Sequence, residues 1–211
     1  MTQSKKSLWT FSLAFVAFEC LCMVVLLSTT RLDQMTWVNA HHTNWADYIF
    51  RFLTSLAEVF LPIALAVYLY QKKRSFFVPF LTSYAVSTLI IQGIKHLIFP
   101  NALRPIAYFA NLHLSWYLVP GVDVHTNNSF PSGHTSAAWF MFFWFALLGK
   151  SRLWGLFMAL IAIGVAYSRL YLMQHFPIDV TFGAGIGFLS SALVYYFMLY
   201  KSNENDVKRN A

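Results

Sequence analysis

Apolar residues in this chain fall in long runs separated by short polar stretches. They show neither the alternation of a half-buried strand nor the narrow stripe of a soluble amphipathic helix. Six runs, at 8–28, 54–71, 76–99, 132–149, 153–172 and 177–200, have the roughly 18–25 residues a helix needs to cross a hydrocarbon layer of about 30 Å. The pattern predicts an all-α polytopic membrane protein: one membrane-embedded domain over 1–211, built as a bundle of six transmembrane helices, with a short polar tail at 201–211. Pro62 and Pro79 fall inside two of the runs, which membrane helices tolerate where neighbours re-satisfy the freed carbonyls. The first run follows Lys5 and Lys6. It exceeds the roughly 7–15 residues of a signal-peptide core and no A-x-A site follows it, so it reads as a retained helix.

Composition points the same way. Of the 211 residues, 58% are hydrophobic and only 11% charged, where a soluble domain carries roughly a quarter charged residues. An aromatic share of 18% suits a chain whose Trp and Tyr collect at bilayer interfaces. Cys20 and Cys22 lie in an apolar run with no histidine or cysteine partners nearby, and read as packing residues.

The basic residues set an orientation. Lys5 and Lys6 precede the first run, and Lys72, Lys73 and Arg74 separate the second from the third. Lys150 and Arg152 separate the fourth from the fifth; Lys201, Lys208 and Arg209 follow the sixth. These ten of the 15 Lys and Arg share one side if six helices alternate. By the positive-inside rule that side is cytoplasmic, with both termini inside. The net charge of +7 therefore orients the chain in its membrane, and nucleic acid is not needed to explain it.

Arg31, Arg51, Lys95, Arg104 and Arg169 remain. Lys95 lies 19 residues past Phe76, about 29 Å along a helix at 1.5 Å per residue, at the outer surface. Arg169 is about 24 Å along the fifth run on the same count, and Arg104 sits in the outer segment 100–131. His134 opens the fourth run from outside, and His175 and Asp179 bracket the start of the sixth. Every chemically capable residue thus falls at one depth on one face. The outer segment 31–53 is expected to hold a helix capped by Asn44, with apolar Trp45, Tyr48, Ile49, Phe52 and Leu53 and an Asp47–Arg51 pair at i,i+4. Such a helix either guides a lipid along the interface or shields the bundle. Glu19 and Glu58 are costly in lipid and should face the bundle interior or water. His125 and Asp123 read as a solvated loop, His41, His42 and His113 as interfacial, and His96 as facing the headgroups.

Two blocks carry the chemistry. In Pro131-Ser132-Gly133-His134, Ser is a good N-cap and Gly lets the backbone approach a ligand. The helix start then offers N–H groups and a positive dipole end to an anion, with His134 in the first turn. The second block is Ser168-Arg169, five residues, His175, three residues, Asp179. Pro177 suits a first helical turn, which leaves His175 at the helix mouth and Asp179 placed to accept from one ring nitrogen. An imidazole so fixed offers its other nitrogen as a nucleophile. Lys95, Arg104 and Arg169 supply the positive charge that a phosphoryl group in transfer demands. Read singly, each has a plainer meaning: a helix start, a structural hydrogen bond, snorkelling cations.

These blocks resemble the signature motifs of the type 2 phosphatidic acid phosphatase superfamily, which includes bacterial acid phosphatases and vanadium haloperoxidases. P-S-G-H at 131–134 and S-R-x5-H-x3-D at 168–179 match fully. The first motif, K-x6-R-P, is met here by Lys95 and Arg104-Pro105 with eight residues between, and Pro100-Asn101-Ala102 is expected to bulge and absorb the excess. The resemblance implies a metal-free, cofactor-free hydrolase working through a phosphohistidine. In it His175 is the nucleophile, Asp179 its orienting carboxylate and His134 the acid–base; Lys95, Arg104, Ser132, Gly133 and Arg169 bind the phosphate. Six lipid-spanning helices argue against haloperoxidase activity. The expectation is a lipid phosphatase acting on a phosphomonoester or diphosphate at the outer face, the periplasmic face if bacterial. Polyprenyl diphosphate or lipid A phosphate is preferred to phosphatidylglycerophosphate or phosphatidic acid. A lipid phosphotransferase and a non-enzymatic transporter or scaffold remain the alternatives. The partners implied are a phosphorylated lipid and the bilayer, and nothing in the sequence points to an obligate protein partner.

Overall fold

The structure is a computed structural model and describes residues 3–200; the expected tail at 201–211 lies outside the described residues. Among the described residues every regular element is helical. In chain order they are α1 (Gln3–Ser28), α2 (Arg31–Ala40), α3 (Asn44–Ser55), α4 (Phe60–Lys72), α5 (Arg74–Gly93), α6 (Pro105–Tyr108), α7 (Gly133–Leu148), α8 (Arg152–Tyr171) and α9 (Pro177–Tyr195). Single π-helical turns, Ile94–Ile98 and Tyr196–Tyr200, extend α5 and α9.

The fold is organised around α7. Trp139, Phe140, Met141, Phe142, Phe143 and Trp144 are consecutive and all buried, so this helix is covered on every side, as a helix apolar all round must be. It packs against α9, α8, α1 and α5. With little hydrophobic drive between helices in lipid, close backbone approach and polar contacts hold such a bundle. A Cβ added at Gly183 would stand 2.4 Å from the Ser132 carbonyl oxygen, and one at Gly187 2.1 Å from that of Ser136. These two glycines let α9 lie directly on α7. Ser87 and Ser136 share a hydrogen bond of 2.8 Å between α5 and α7, and Ser191 Oγ donates to the Phe140 carbonyl at 3.3 Å between α9 and α7.

Four helices are long and apolar enough to cross a membrane: Lys5–Ser28, Arg74–Ile98, Arg152–Tyr171 and Pro177–Tyr200. The expected run 54–71 is broken. Helix α3 ends at Ser55, Leu56–Val59 are non-helical, and α4 starts at Phe60 with its axis bent 43° from that of α3. Pro62 favours the break, because it has no N–H to donate to the Glu58 carbonyl and sits in the first turn of α4. Counted as one, the bent pair raises the candidate spans from four to five. The expected 132–149 run is α7, an apolar helix of 16 residues.

The outer segment 31–53 holds two helices. Thr30 closes a capping box with Asp33 at the start of α2, and α3 is capped by Thr43, not by Asn44. The expected Asp47–Arg51 pair does not form. Asp47 accepts the hydroxyls of Tyr117 at 2.5 Å and Tyr171 at 2.6 Å, while Arg51 donates to the Pro120 carbonyl. Two tyrosines from distant segments offer the carboxylate better-directed donors than a neighbour on an exposed face. Trp45, Tyr48, Ile49 and Phe52 stay exposed.

Gly187→Ala is expected to lower the thermal midpoint of the detergent-solubilised protein, as overpacking typically costs about 1–3 kcal/mol. Gly185→Ala, whose Cβ would meet nothing within 4 Å, should leave it unchanged or slightly raised through better helix propensity. Equal midpoints for the two variants contradict the packing described.

Candidate active site

The site is assembled where α7, α8 and α9 begin or end on one side of the bundle. The opposite end carries Lys5, whose Nζ lies 5.1 Å from the centre of the Tyr200 ring. Helix α9 opens with Phe176 as N-cap and Pro177 in its first turn. The link from α8 folds back on that helix's own last turn: the N–H groups of Gln174 and His175 both donate to the Arg169 carbonyl, at 3.0 and 3.2 Å. His175 is thereby pinned beside Arg169. Its Nδ1 faces Asp179 Oδ2 at 3.4 Å, and both side chains are almost fully buried. The same Oδ2 accepts the Phe176 N–H at 2.9 Å.

Helix α7 is joined to α9 at this point. Ser132 caps α7 by accepting the Thr135 N–H at 3.4 Å, and shares a 2.9 Å bond with the Thr135 hydroxyl. Its own N–H donates to the Asp179 carbonyl at 2.9 Å. The starts of α7 and α9 are thus held side by side, and a helix start offers N–H groups and a positive dipole end to an anion. His134, in the first turn of α7, interacts electrostatically with His175, Arg169, Arg104 and Lys95.

The three cations are fixed by acceptors that the sequence did not advertise. Arg169 Nη1 donates to Thr54 Oγ1 at 2.6 Å, and its buried Nε finds no acceptor among the described residues. Arg104 Nε donates to the Asn127 carbonyl at 2.9 Å and Nη1 to Gln174 Oε1. Lys95 Nζ donates to the Asn128 carbonyl at 2.8 Å. The long Lys95–Arg104 spacing is taken up by the π-helical turn at Ile94–Ile98 and a turn at Pro100-Asn101; the expectation of a bulge at 100–102 omitted the first of these. Burial is the main influence on His175 and pushes it down to about 4. Asp179 opposes that shift, while Arg169 and Arg104 add to it. The imidazole is therefore neutral at neutral pH, with Nδ1 turned to the carboxylate and Nε2 left as the free nitrogen. Burial also lowers Arg104, against the pull of Asp179.

Lys95, Arg104, Ser132, Gly133, His134, Arg169, His175 and Asp179 thus occupy one end of the bundle. Other polar residues lie apart. Asp123 and His125 are exposed, and Asp123 contributes only its carbonyl, to Gln174 Nε2 at 2.8 Å. His96 pairs with Gln92 on the surface, and His42 stacks on Tyr117. Glu19 lines an apolar cavity between α1, α5 and α9. Glu58 lines a cavity of about 720 Å³ between α4, α5 and α7, whose wall includes Gly133 and His134 and, further along, Ile63, Leu81, Tyr84 and Phe140. Among the described residues no three His, Cys, Asp or Glu side chains are grouped to hold a metal ion. Sequence reasoning passed over Thr54, Ser129 and Gln174. Only the last two carried a hint, in lying next to the motifs.

Comparison with known proteins identifies the family. The family model of the PAP2 superfamily matches residues 76–203. The undecaprenyl-diphosphatase BcrC of Bacillus subtilis (strain 168) is 27% identical over 167 residues, 78% of this chain and 79% of that protein. The bacitracin transport permease protein BcrC of Bacillus licheniformis is 27% identical over 150 residues, 69% of this chain and 68% of that one. Among solved structures, LpxE of Aquifex aeolicus superposes with a TM-score of 0.67 at 24% identity, covering 79% of this chain and 94% of its own. A PAP2-type phosphatidylglycerolphosphate phosphatase from Bacillus subtilis gives 0.64 at 20% identity, covering 90% and 95%. These two likenesses show a shared fold. The chain belongs to the PAP2 superfamily and is an integral membrane phosphatase.

The depressed His175 has a kinetic consequence. Since kcat/KM reports ionisations of the free enzyme, its acid limb, corrected for the substrate's own phosphate ionisation, should lie well below the ordinary histidine value of 6.5 and approach about 4. A limb centred at 6.5 contradicts the burial assigned to this ring.

Proposed function

We propose that the protein hydrolyses a phosphate or diphosphate carried on a membrane lipid, through a phosphohistidine at His175. The carrying observation is the cavity that runs from His134 and Gly133 down between α4, α5 and α7, with apolar walls at Phe80, Leu81, Phe140 and Ala66. A polar reaction site continuous with an apolar slot of about 720 Å³ suits a substrate with a charged head and a hydrocarbon chain. Polyprenyl diphosphate is the preferred class, since one relative is an undecaprenyl-diphosphatase. Lipid A phosphate is the second, on the outward-facing placement of the site.

In this reading Lys95, Arg104, Arg169, the Ser132 hydroxyl and the Gly133 amide surround the phosphoryl oxygens, where preorganised donors stabilise the charge of transfer. His175 Nε2 attacks phosphorus, the bond to the leaving oxygen breaks, and His134 gives that oxygen a proton. Water then attacks the phosphohistidine and gives a proton to His134, the Nε2–P bond breaks, and His175 is released with free phosphate. Asp179 holds the ring and balances the positive charge it gains. The domain crosses the membrane six times, with the bent α3–α4 pair and α7 completing the count and both termini cytoplasmic. Ten of 15 basic residues on one side support that orientation. It puts the site at the outer face, the periplasmic side of a bacterial inner membrane.

Purified protein should release phosphate from polyprenyl diphosphate, and the assay should include lipid A and phosphatidylglycerophosphate alongside. Ala66→Phe, which fills the slot away from the reacting groups, should lower kcat/KM for the long-chain substrate about tenfold or more, while a short water-soluble phosphoester is hydrolysed as before. Equal effects on both substrates would remove the slot from the account, and no phosphate release from any lipid without an acceptor lipid would favour transfer over hydrolysis.

A further inference from the structure

The site contains a buried hydroxyl that the motifs leave unassigned. Ser129, two residues before Pro131, is 1% exposed, and its Oγ donates to Asp179 Oδ2. Its backbone is held in turn, with its N–H donating to the Ala102 carbonyl at 3.0 Å. The stretch that carries it also presents the Thr126 carbonyl to the Arg104 N–H, the Asn127 carbonyl to Arg104 Nε and the Asn128 carbonyl to Lys95 Nζ. One short loop therefore fixes two cations and reaches the carboxylate behind the nucleophile.

Three donors are directed at a single carboxylate oxygen. Asp179 Oδ2 takes the Phe176 N–H at 2.9 Å and the Ser129 hydroxyl, and stands 3.4 Å from His175 Nδ1. A carboxylate oxygen offers about two lone-pair directions. With both taken, the imidazole is held beyond the usual N–H···O range of roughly 2.7–3.2 Å, and Nδ1 is left without a hydrogen-bond partner among the described residues. We propose that Ser129 is a positioning residue for the reaction, which keeps Asp179 aimed while withholding a full hydrogen bond from His175 until that ring becomes positive. The inference rests on the phosphohistidine reading above.

The logic is differential. Only an interaction stronger in the transition state than in the ground state accelerates the step. When His175 Nε2 bonds to phosphorus, the imidazole gains positive charge and the contact from Nδ1 to Oδ2 becomes charge-assisted, shorter and stronger. In the resting site the Ser129 hydroxyl competes for Oδ2 and postpones that gain. Its rotor can give way without any proton leaving Ser129. Removing it lets the carboxylate bind the neutral ring tightly from the start, which reduces the advantage held back for the transition state. The other charges facing His175 are untouched by the change: Arg169 on α8, Arg104 in the outer loop and His134 on α7, with Lys95 acting on Asp179.

Wild type, Ser129→Ala, Ser129→Thr, Ser129→Cys and His175→Ala are compared on one phosphorylated lipid, each normalised to the folded peak in size exclusion. Ser129→Ala should lower kcat about tenfold, the low end for a lost hydrogen bond to a charged group, with KM within about twofold. The acid limb of kcat/KM should move to higher pH, because a carboxylate freed from Ser129 stabilises imidazolium more. Ser129→Thr should recover most of the rate, and Ser129→Cys, a weaker donor, should fall between and serves if the alanine variant does not fold. A dead His175→Ala with wild-type kcat and pH profile in Ser129→Ala overturns the proposal while the phosphohistidine reading stands. A loss equal at every pH, with the limb unmoved, reduces Ser129 to a structural contact and also overturns it. Turnover in His175→Ala defeats the underlying reading whatever Ser129 does.

Discussion

The structure depends on how closely α9 lies against α7. Hydrogens at Gly183 and Gly187, where any other residue would place a carbon 2.1–2.4 Å from a carbonyl oxygen, allow the Ser132 N–H to reach the Asp179 carbonyl at 2.9 Å. That one backbone bond fixes the two helix starts relative to each other. His134 and His175 sit within a turn of it on either side, so their relation is set by main chain and not by flexible side chains. In a bilayer, where burial of apolar surface no longer separates folded from unfolded packing, small residues at helix contacts carry that task. The aromatic core of α7 fills the layer beneath and leaves the polar groups at the end.

Charge is arranged with similar economy. Three cations, two imidazoles and the Asp179 carboxylate occupy a largely buried space, with Glu58 acting on Arg169 from the cavity wall. Each cation is tied to a neutral acceptor: Lys95 and Arg104 to successive carbonyls of the 126–128 stretch, Arg169 to Thr54. Neutral acceptors position a guanidinium or ammonium without cancelling its charge, so the field remains available to an anion. A site built on ion pairs would have to break them before binding phosphate, and cations held by neutral acceptors avoid that cost. Burial, with the same surplus of positive charge, keeps His175 neutral.

Much of this was legible from residues alone because it is local. Ser132 and Pro177 mark helix starts by their own chemistry, and Lys95, Arg104, Arg169 and the two histidines fall at one depth by counting along apolar runs. What escaped was tertiary. Asp47 has a textually obvious partner at Arg51, yet it accepts from Tyr117 and Tyr171, 70 and 124 residues away. Ser129 and Gln174 become meaningful only once a loop is laid across the helix ends. The break before α4 was only half readable, since Pro62 weakens a helix through Glu58 while Pro79 is accommodated within α5, and hydropathy is blind to a missing N–H.

The central claim is that His175 carries the phosphoryl group in transit. Rapid quenching of the enzyme during turnover of a substrate labelled in its terminal phosphate, followed by peptide mapping under alkaline conditions, tests it most directly. An acid-labile label is expected on His175 and is expected to be absent from His175→Ala. Label on His134 or on another side chain, or turnover at full rate with none on protein at any quench time, would contradict it.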